Sequence, residues 1–403
     1  MSELYQALGF TTNPFSRVSA EQELDYLDSI FVEPRYFNVL ESDIKSGTSK
    51  FIIGDRGSGK SALMYSLRDK LSRENVFCTL IDQFYDVGIS NNKITFLKLI
   101  TTNVATDLCL ALLMNKRKAK RLSSEDKQTL SNLVYAFYRY LSKEELVNRI
   151  DILTGFKKWN IFKQIFNRVV NRTLNSLISG TIEATSDFIT KSLALPKMEP
   201  TGFYKEYIPE LKLKTIEAYS KLKLDELTES SYLSILKKIA KISKGCSFVN
   251  TIVFLDKIDE FQLLKGKISN ISEFIHEIAA DTSLLQIDGI GLVLVIWSKT
   301  KKPLSSFGVR FDKFRPVDVN WIDSDIISIL EKRIGHFSNG KKEPRDIYSQ
   351  VSLENIIKLA NKSPRDLLTI CGFIYDEQSI LDINARQMSD QAVNSGIKNF
   401  VIK

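Results

Sequence analysis

The residues with the plainest chemical purpose are Gly54, Gly59, Lys60 and Ser61, within the run FIIGDRGSGKS at 51–61. Their spacing is G-x-x-x-x-G-K-S. An apolar run, Phe51-Ile52-Ile53, precedes it and reads as a buried strand; Ala62, Leu63, Leu67 and Leu71 follow at helical spacing. That strand–loop–helix setting is what the spacing needs to act as a phosphate cradle. Glycines let backbone N–H groups converge on phosphate oxygens, and the helix N-terminus adds the positive end of its dipole. Gly54, Asp55, Arg56, Gly57, Ser58, Gly59, Lys60, Ser61 and Ala62 therefore form the candidate nucleotide-binding set. Lys60 would reach the β- and γ-phosphates, and Ser61 would hold Mg²⁺.

A metal bound there needs a carboxylate as well. Residues 251–261 read TIVFLDKIDEF, with four apolar residues, Ile252 to Leu255, running into Asp256. A carboxylate at the tip of a buried parallel strand suits Mg²⁺, often through water. Asp259 and Glu260 follow within one turn, and either could polarise an attacking water. Without the phosphate loop upstream, the same run would read as a strand ending in a solvated acidic turn.

Together the two runs resemble the Walker A and Walker B motifs of additional-strand P-loop ATPases, the branch that holds AAA+ and STAND proteins. Three further stretches extend the resemblance. GLVLVIWSKT at 291–300 resembles a sensor 1 strand, with Ser298 or Thr300 at its end. VRFDKFRPVDV at 309–319 resembles the segment before the last core strand, which makes Arg310 and Arg315 arginine-finger candidates. ANKSPRDLL at 360–368 resembles the start of a sensor 2 helix, with Arg365 as its arginine and Ser363 where glycine is usual. The opening LGFTTNPF is similar to that of bacterial ATPases related to origin-recognition initiators, found in defence and transposition systems. The match covers roughly residues 1–85 and 245–403.

The resemblance implies an α/β P-loop NTPase core with a parallel sheet of the additional-strand type. A large helical insert would separate Walker A from Walker B, and a helical lid would follow the core. It implies ATP and Mg²⁺ as ligands, and hydrolysis driving a conformational or oligomeric switch in a homo-oligomer. The expected setting is bacterial phage defence or another DNA transaction, with a partner protein. It also implies an N-terminal arm along the adenine, where Phe15, Val18, Pro34 and Tyr36 are weak candidates. One departure bears on catalysis: Lys257 follows Asp256 where AAA+ proteins usually carry Glu, and the Asp256, Asp259, Glu260 pattern looks more STAND-like. Two other readings therefore stay open, a nucleic-acid-binding ATPase that loads a partner enzyme and an ATP-binding scaffold with little hydrolysis.

The elements that must position these residues set the organisation. The chain has 403 residues, 43% of them hydrophobic and 26% charged, as in ordinary globular proteins. Its four cysteines lie far apart with no CxxC pair, and its two histidines exclude a His-rich metal centre. No apolar run long enough to span a membrane stands out, and MSELYQALGF lacks a basic leader. A cytoplasmic protein without membrane partners is expected. From Lys60 to Asp256 the chain runs 196 residues, far more than one strand–helix unit. The divisions expected are an arm at 1–48, a core split between 49–92 and 245–320, a helical insert at 93–244 and a lid at 321–403. Ser123 with Asp126 predicts a helix start inside the insert.

The net charge of +8 comes from that middle region, which holds 25 basic against 14 acidic residues between 111 and 250. One basic group is Lys116, Arg117, Lys118, Lys120 and Arg121. A second is Lys157, Lys158, Lys163, Arg168 and Arg172, interleaved with Trp159, Phe162 and Phe166. Such stripes either bind DNA, RNA or an acidic partner protein, or form the solvated face of a helical core.

Overall fold

The computed structural model describes residues 3–85, 87–90, 92–139, 141–154, 182–198, 207 and 227–402. The second basic group, with Trp159, Phe162 and Phe166, lies outside these residues.

The architecture is α/β. Five strands, β1 (Lys50–Gly54), β2 (Phe77–Ile81), β3 (Thr251–Leu255), β4 (Ile290–Trp297) and β5 (Val317–Asp318), form an all-parallel sheet in the order β2-β3-β4-β1-β5. β2 and β3 are buried at every position, as expected of parallel strands covered on both faces, and this is why they read as continuous apolar runs. Phe77 pairs with Thr251 and Ile81 with Leu255; Thr251 in turn pairs with Ile290 and Leu255 with Leu294.

Among the described residues, the helices of nine residues or more are α1 (Phe37–Lys45), α2 (Lys60–Arg73), α3 (Lys93–Met114), α4 (Ser124–Phe137), α5 (Lys143–Thr154), α6 (Ile182–Ser192), α7 (Glu229–Gly245), α8 (Ile268–Ala279), α9 (Asp323–Phe337), α10 (Gln350–Ala360), α11 (Pro364–Leu381) and α12 (Asp390–Ile402). The expected cap at Ser123 forms: its hydroxyl accepts from Asp126 N at 3.0 Å, satisfying one of the orphan donors of α4.

By packing, the chain forms two compact units. One gathers Met1–Asn38, Ile53–Leu67 and Asp318–Lys403; the other gathers Val39–Ile52 and Arg68–Val317. The glycine-rich loop segment thus belongs with the C-terminal helices, and the described helices between β2 and β3 belong with strands β2 to β4.

In the second unit, α3 packs against β2, α4 and α7. This helix is long and apolar enough to cross a membrane, contrary to the expectation from sequence, but 72% of its apolar window is buried inside the protein. A helix apolar all round is equally what a core helix of a large domain looks like. Its one acid, Asp107, is buried and meets Thr79 of β2 and Arg149 of α5, the latter at 2.6 Å. Arg149 also reaches Asn103. Burial of so much charge is tolerable because each group has a partner.

In the first unit, the N-terminal arm is held on α9. Thr11 N donates to Phe337 O at 2.8 Å, and Arg333 reaches Glu23 and the carbonyls of Pro14 and Arg17. Beside it, His336 stacks on Tyr26 with ring centroids 5.1 Å apart, and its Nδ1 lies 2.9 Å from Ser29 Oγ. Burial, and then repulsion from Arg333, hold the His336 imidazole below its ordinary value. An imidazole with a folded pKa below the unfolded value of about 6.5 binds its proton more weakly in the folded state. Stability is therefore unaffected above that value and falls as the pH drops through the window beneath it. Urea titrations between pH 5 and 7 (a range chosen around the ordinary imidazole value) are expected to show this slope, and His336→Gln to flatten it. An unchanged slope in the variant would assign it elsewhere.

Candidate functional site

The candidate phosphate-binding loop lies wholly in the first unit. β1 delivers the chain to Gly54, residues 55–59 turn, and α2 begins at Lys60. Ser58 N donates to Asp55 O at 3.2 Å, and Leu63 N donates to Gly59 O at 3.0 Å, which starts the helix. Gly57 and Gly59 both have φ of +83°, a backbone conformation that glycine adopts without a Cβ penalty. At Gly54 the constraint is space instead. A Cβ there would meet Ser58 Oγ at 2.5 Å.

A helix start turns its first N–H groups and its positive dipole end toward the preceding loop, here residues 55–59. Lys60 adds a cation. Its Nζ donates to Gly54 O at 3.0 Å and Asp55 O at 2.9 Å, which holds the ammonium against the loop. Ser61 and Ala62 are half-buried, whereas Asp55 and Arg56 are exposed on the turn. Ser58 Oγ is buried, with the residue 8% exposed, and has no hydrogen-bond partner among the described residues. A buried orphan hydroxyl in a loop whose glycines forbid side chains is what a polar ligand's cradle looks like.

Residues of the C-terminal segment bond the backbone of this loop. Arg365 N donates to Gly57 O at 3.2 Å, and a Cβ on Gly57 would come within 3.0 Å of Arg365 Cβ. Ser363 caps α11 by accepting from Asp366 N at 3.2 Å, with Pro364 at the first helical position. Trp321 Nε1 donates to Ser58 O at 2.7 Å. Val319 N donates to Ile53 O at 2.7 Å, tying the segment before Trp321 to the end of β1. The sequence pointed to Arg365, whose side chain is exposed while its backbone makes the contact. It gave no sign of Trp321, since a single tryptophan after a short strand carries no pattern.

The acidic segment lies in the second unit. Asp256 is 3% exposed at the carboxyl end of β3, and its N–H donates to Ile81 O at 3.0 Å, extending the ladder one residue past the strand. Lys257 then adopts φ of +59°, unusual for a side chain with a Cβ, and forms an ion pair with Asp82 at 3.7 Å. This sharp break starts the 3₁₀ turn Ile258–Glu260, with Asp259 half-buried and Glu260 exposed. Phe261 anchors the turn in a cluster with Phe84, Phe96 and Phe274, in which Phe96 and Phe274 lie 4.8 Å apart. Among the described residues, no three His, Cys, Asp or Glu side chains form a metal cluster, and all four cysteines are buried and unpaired by disulfides. No family model, no curated protein and no solved structure matches this chain.

Of the remaining candidates in this unit, Ser298 is half-buried in the turn after β4, while the Thr300 hydroxyl is engaged locally with Trp297 O at 2.7 Å. Arg310 and Arg315 are both exposed. Arg310 makes a two-pronged pair with Asp312, Nε to Oδ1 at 2.9 Å and Nη2 to Oδ2 at 2.7 Å. That hydrogen bond holds the Asp312 carboxyl down to about 2. Before Arg310 could reach a phosphate it would have to leave this partner.

Proposed function

We propose that this chain binds ATP at the loop Gly54–Ala62 and hydrolyses it with Mg²⁺, the energy driving a conformational or oligomeric switch. The observation that carries this is the loop itself: one short turn combines glycines at positive φ, a helix N-terminus and a lysine ammonium bonded to its carbonyls. The strand order supports it, because β4 stands between β1 and β3 as the added strand of such a core.

The donors suit the metal. Ser61 hydroxyl and Asp256 carboxylate are hard oxygens, and Mg²⁺ takes one or two protein carboxylates while keeping waters and phosphate oxygens for the rest. Asp259 or Glu260 would orient the water, Ser298 and Arg365 would sense the γ-phosphate, and Arg310 or Arg315 would complete the site of a neighbouring copy. The phage-defence or DNA-transaction setting is carried by the resemblance alone. The test is ATP turnover by the purified chain. Turnover supports hydrolysis; ATP bound without turnover would leave a nucleotide-stabilised scaffold; no binding would end the proposal.

A second reading, a nucleic-acid-binding ATPase, has one observation in its favour. In the short helix Lys116–Ala119 and the two residues after it, Lys116, Arg117, Lys120 and Arg121 are exposed, and the Lys118 ammonium sits 3.4 Å over the Phe248 ring. Arg121 donates to Ser247 Oγ at 2.6 Å, which fixes the turn as a small cationic knob. If this knob contacts phosphates, DNA affinity falls with salt by roughly 0.9 log units per log unit of salt for each contact. A Lys116→Ala/Arg117→Ala/Lys120→Ala variant is expected to lose two to three such contacts' worth of slope in fluorescence-anisotropy titrations. A wild-type chain that fails to bind DNA at low salt would remove this reading.

A further inference from the structure

We infer that Trp321 is a positioning residue for the nucleotide: its indole aims the Gly59 N–H of the phosphate loop. This rests on the loop being the phosphate site proposed above. It concerns a contact made from outside the loop, distinct from any arginine that would touch the γ-phosphate.

The geometry is contained in one peptide unit. Ser58 O and Gly59 N–H belong to the same planar trans peptide, so they point in opposite directions. Trp321 Nε1 holds Ser58 O at 2.7 Å in a buried contact, and Trp321 is 5% exposed. The ring also lies against Gly59, where a Cβ would come within 3.8 Å of Trp321 Cζ2 and 3.9 Å of Pro364 Cγ. With the carbonyl held by the indole, the Gly59 N–H must point away from Trp321, the direction this proposal assigns to the phosphates.

Gly59 at φ of +83° has no side chain to resist rotation of this peptide. Glycine gives the loop its shape but also the freedom to lose it. A flipped peptide would turn a carbonyl toward the phosphates and orphan a buried indole N–H, so the indole selects the binding orientation. Arg365 N does the same for the preceding carbonyl, Gly57 O, at 3.2 Å. Two consecutive carbonyls are thus held by the segment 321–365, and phosphate affinity becomes a function of where that segment sits. Binding of phosphate and docking of the segment are then reciprocally coupled.

This assignment predicts a pattern that a γ-phosphate sensor would not give. The Gly59 N–H lies in the part of the loop that serves the phosphates common to ATP and ADP. Trp321→Phe is therefore expected to weaken both nucleotides about five- to tenfold, the size of one lost net hydrogen bond, while leaving the melting temperature within a few degrees. Arg365→Ala, which keeps its backbone N–H, is expected to weaken ATP alone. Equilibrium dialysis with radiolabelled ADP and ATP reads both effects. A second measurement avoids dependence on that variant: in Trp159→Phe/Trp297→Phe, the emission of the remaining Trp321 is expected to shift when ADP is added.

The outcomes separate cleanly. If the wild type binds neither nucleotide, the phosphate-site proposal itself fails. If the wild type binds both, Trp321→Phe binds both equally well and Trp321 emission does not respond to ADP, the positioning role is overturned. A loss confined to ATP in Trp321→Phe would also overturn it, since that would place the indole's effect on the γ-phosphate.

Discussion

Lys60→Ala is expected to reduce ATP turnover at least about 100-fold, the scale seen when one charge-stabilising donor is removed from a site where negative charge develops. The lysine is the side-chain cation of the candidate cradle that lies directly on the loop, with its Nζ 3.0 Å from Gly54 O and 2.9 Å from Asp55 O. Those carbonyls hold the ammonium close to the N–H groups at the start of α2, so a phosphate entering the loop meets both. Removing the ammonium leaves the donors but subtracts a full charge in a partly dehydrated place, where electrostatic effects are larger than in water. The fold itself does not depend on it, because the loop is shaped by the Ser58–Asp55 turn and by contacts to Trp321 and Arg365. A coupled phosphate-release assay on wild type and variant, alongside thermal melts, checks this. Turnover surviving in a well-folded Lys60→Ala protein would mean that hydrolysis happens elsewhere.

The largest stability effect is expected at Arg333. This residue is 2% exposed, and its guanidinium is shared among Glu23, Pro14 O and Arg17 O, which pins the N-terminal arm on α9. Taking one partner from a buried pair leaves the other charge uncompensated, which costs about 3–5 kcal/mol. Glu23→Ala is therefore expected to lower the urea-derived stability of its unit by that amount. The pair as a whole is worth less than either half, because both charges were dehydrated to make it. Glu23→Leu combined with Arg333→Met is expected to recover most of the loss. The comparison distinguishes an electrostatic clamp from simple packing: if the double variant is as unstable as the sum of the single ones, the arm is held by shape and by the backbone acceptors.

Much of the site was legible locally. The glycine-rich turn, the helix that follows it, the strand ending at Asp256, and the cap at Ser123 each depend on residues within a turn or a strand of one another. Side-chain periodicity, glycine conformation and capping act over that range, so spacing alone predicts them. The break after Asp256 was legible only in part. Lys257 was visible as a departure from a familiar pattern, but its positive φ and its pairing with Asp82 arise because β2 and β3 end side by side.

What the sequence by itself determined is local: a glycine-rich turn between a strand and a helix, an acidic strand end and capped helices. What only the tertiary structure decided is which distant residues act on these elements. Trp321 reaches Ser58 across 263 positions, and Arg333 reaches Glu23 across 310. The apolar helix Lys93–Met114 becomes a core element only because β2, α4 and α7 surround it. Such contacts follow from how packed faces fit and from which buried polar groups must be satisfied, and neither leaves a local spacing to read.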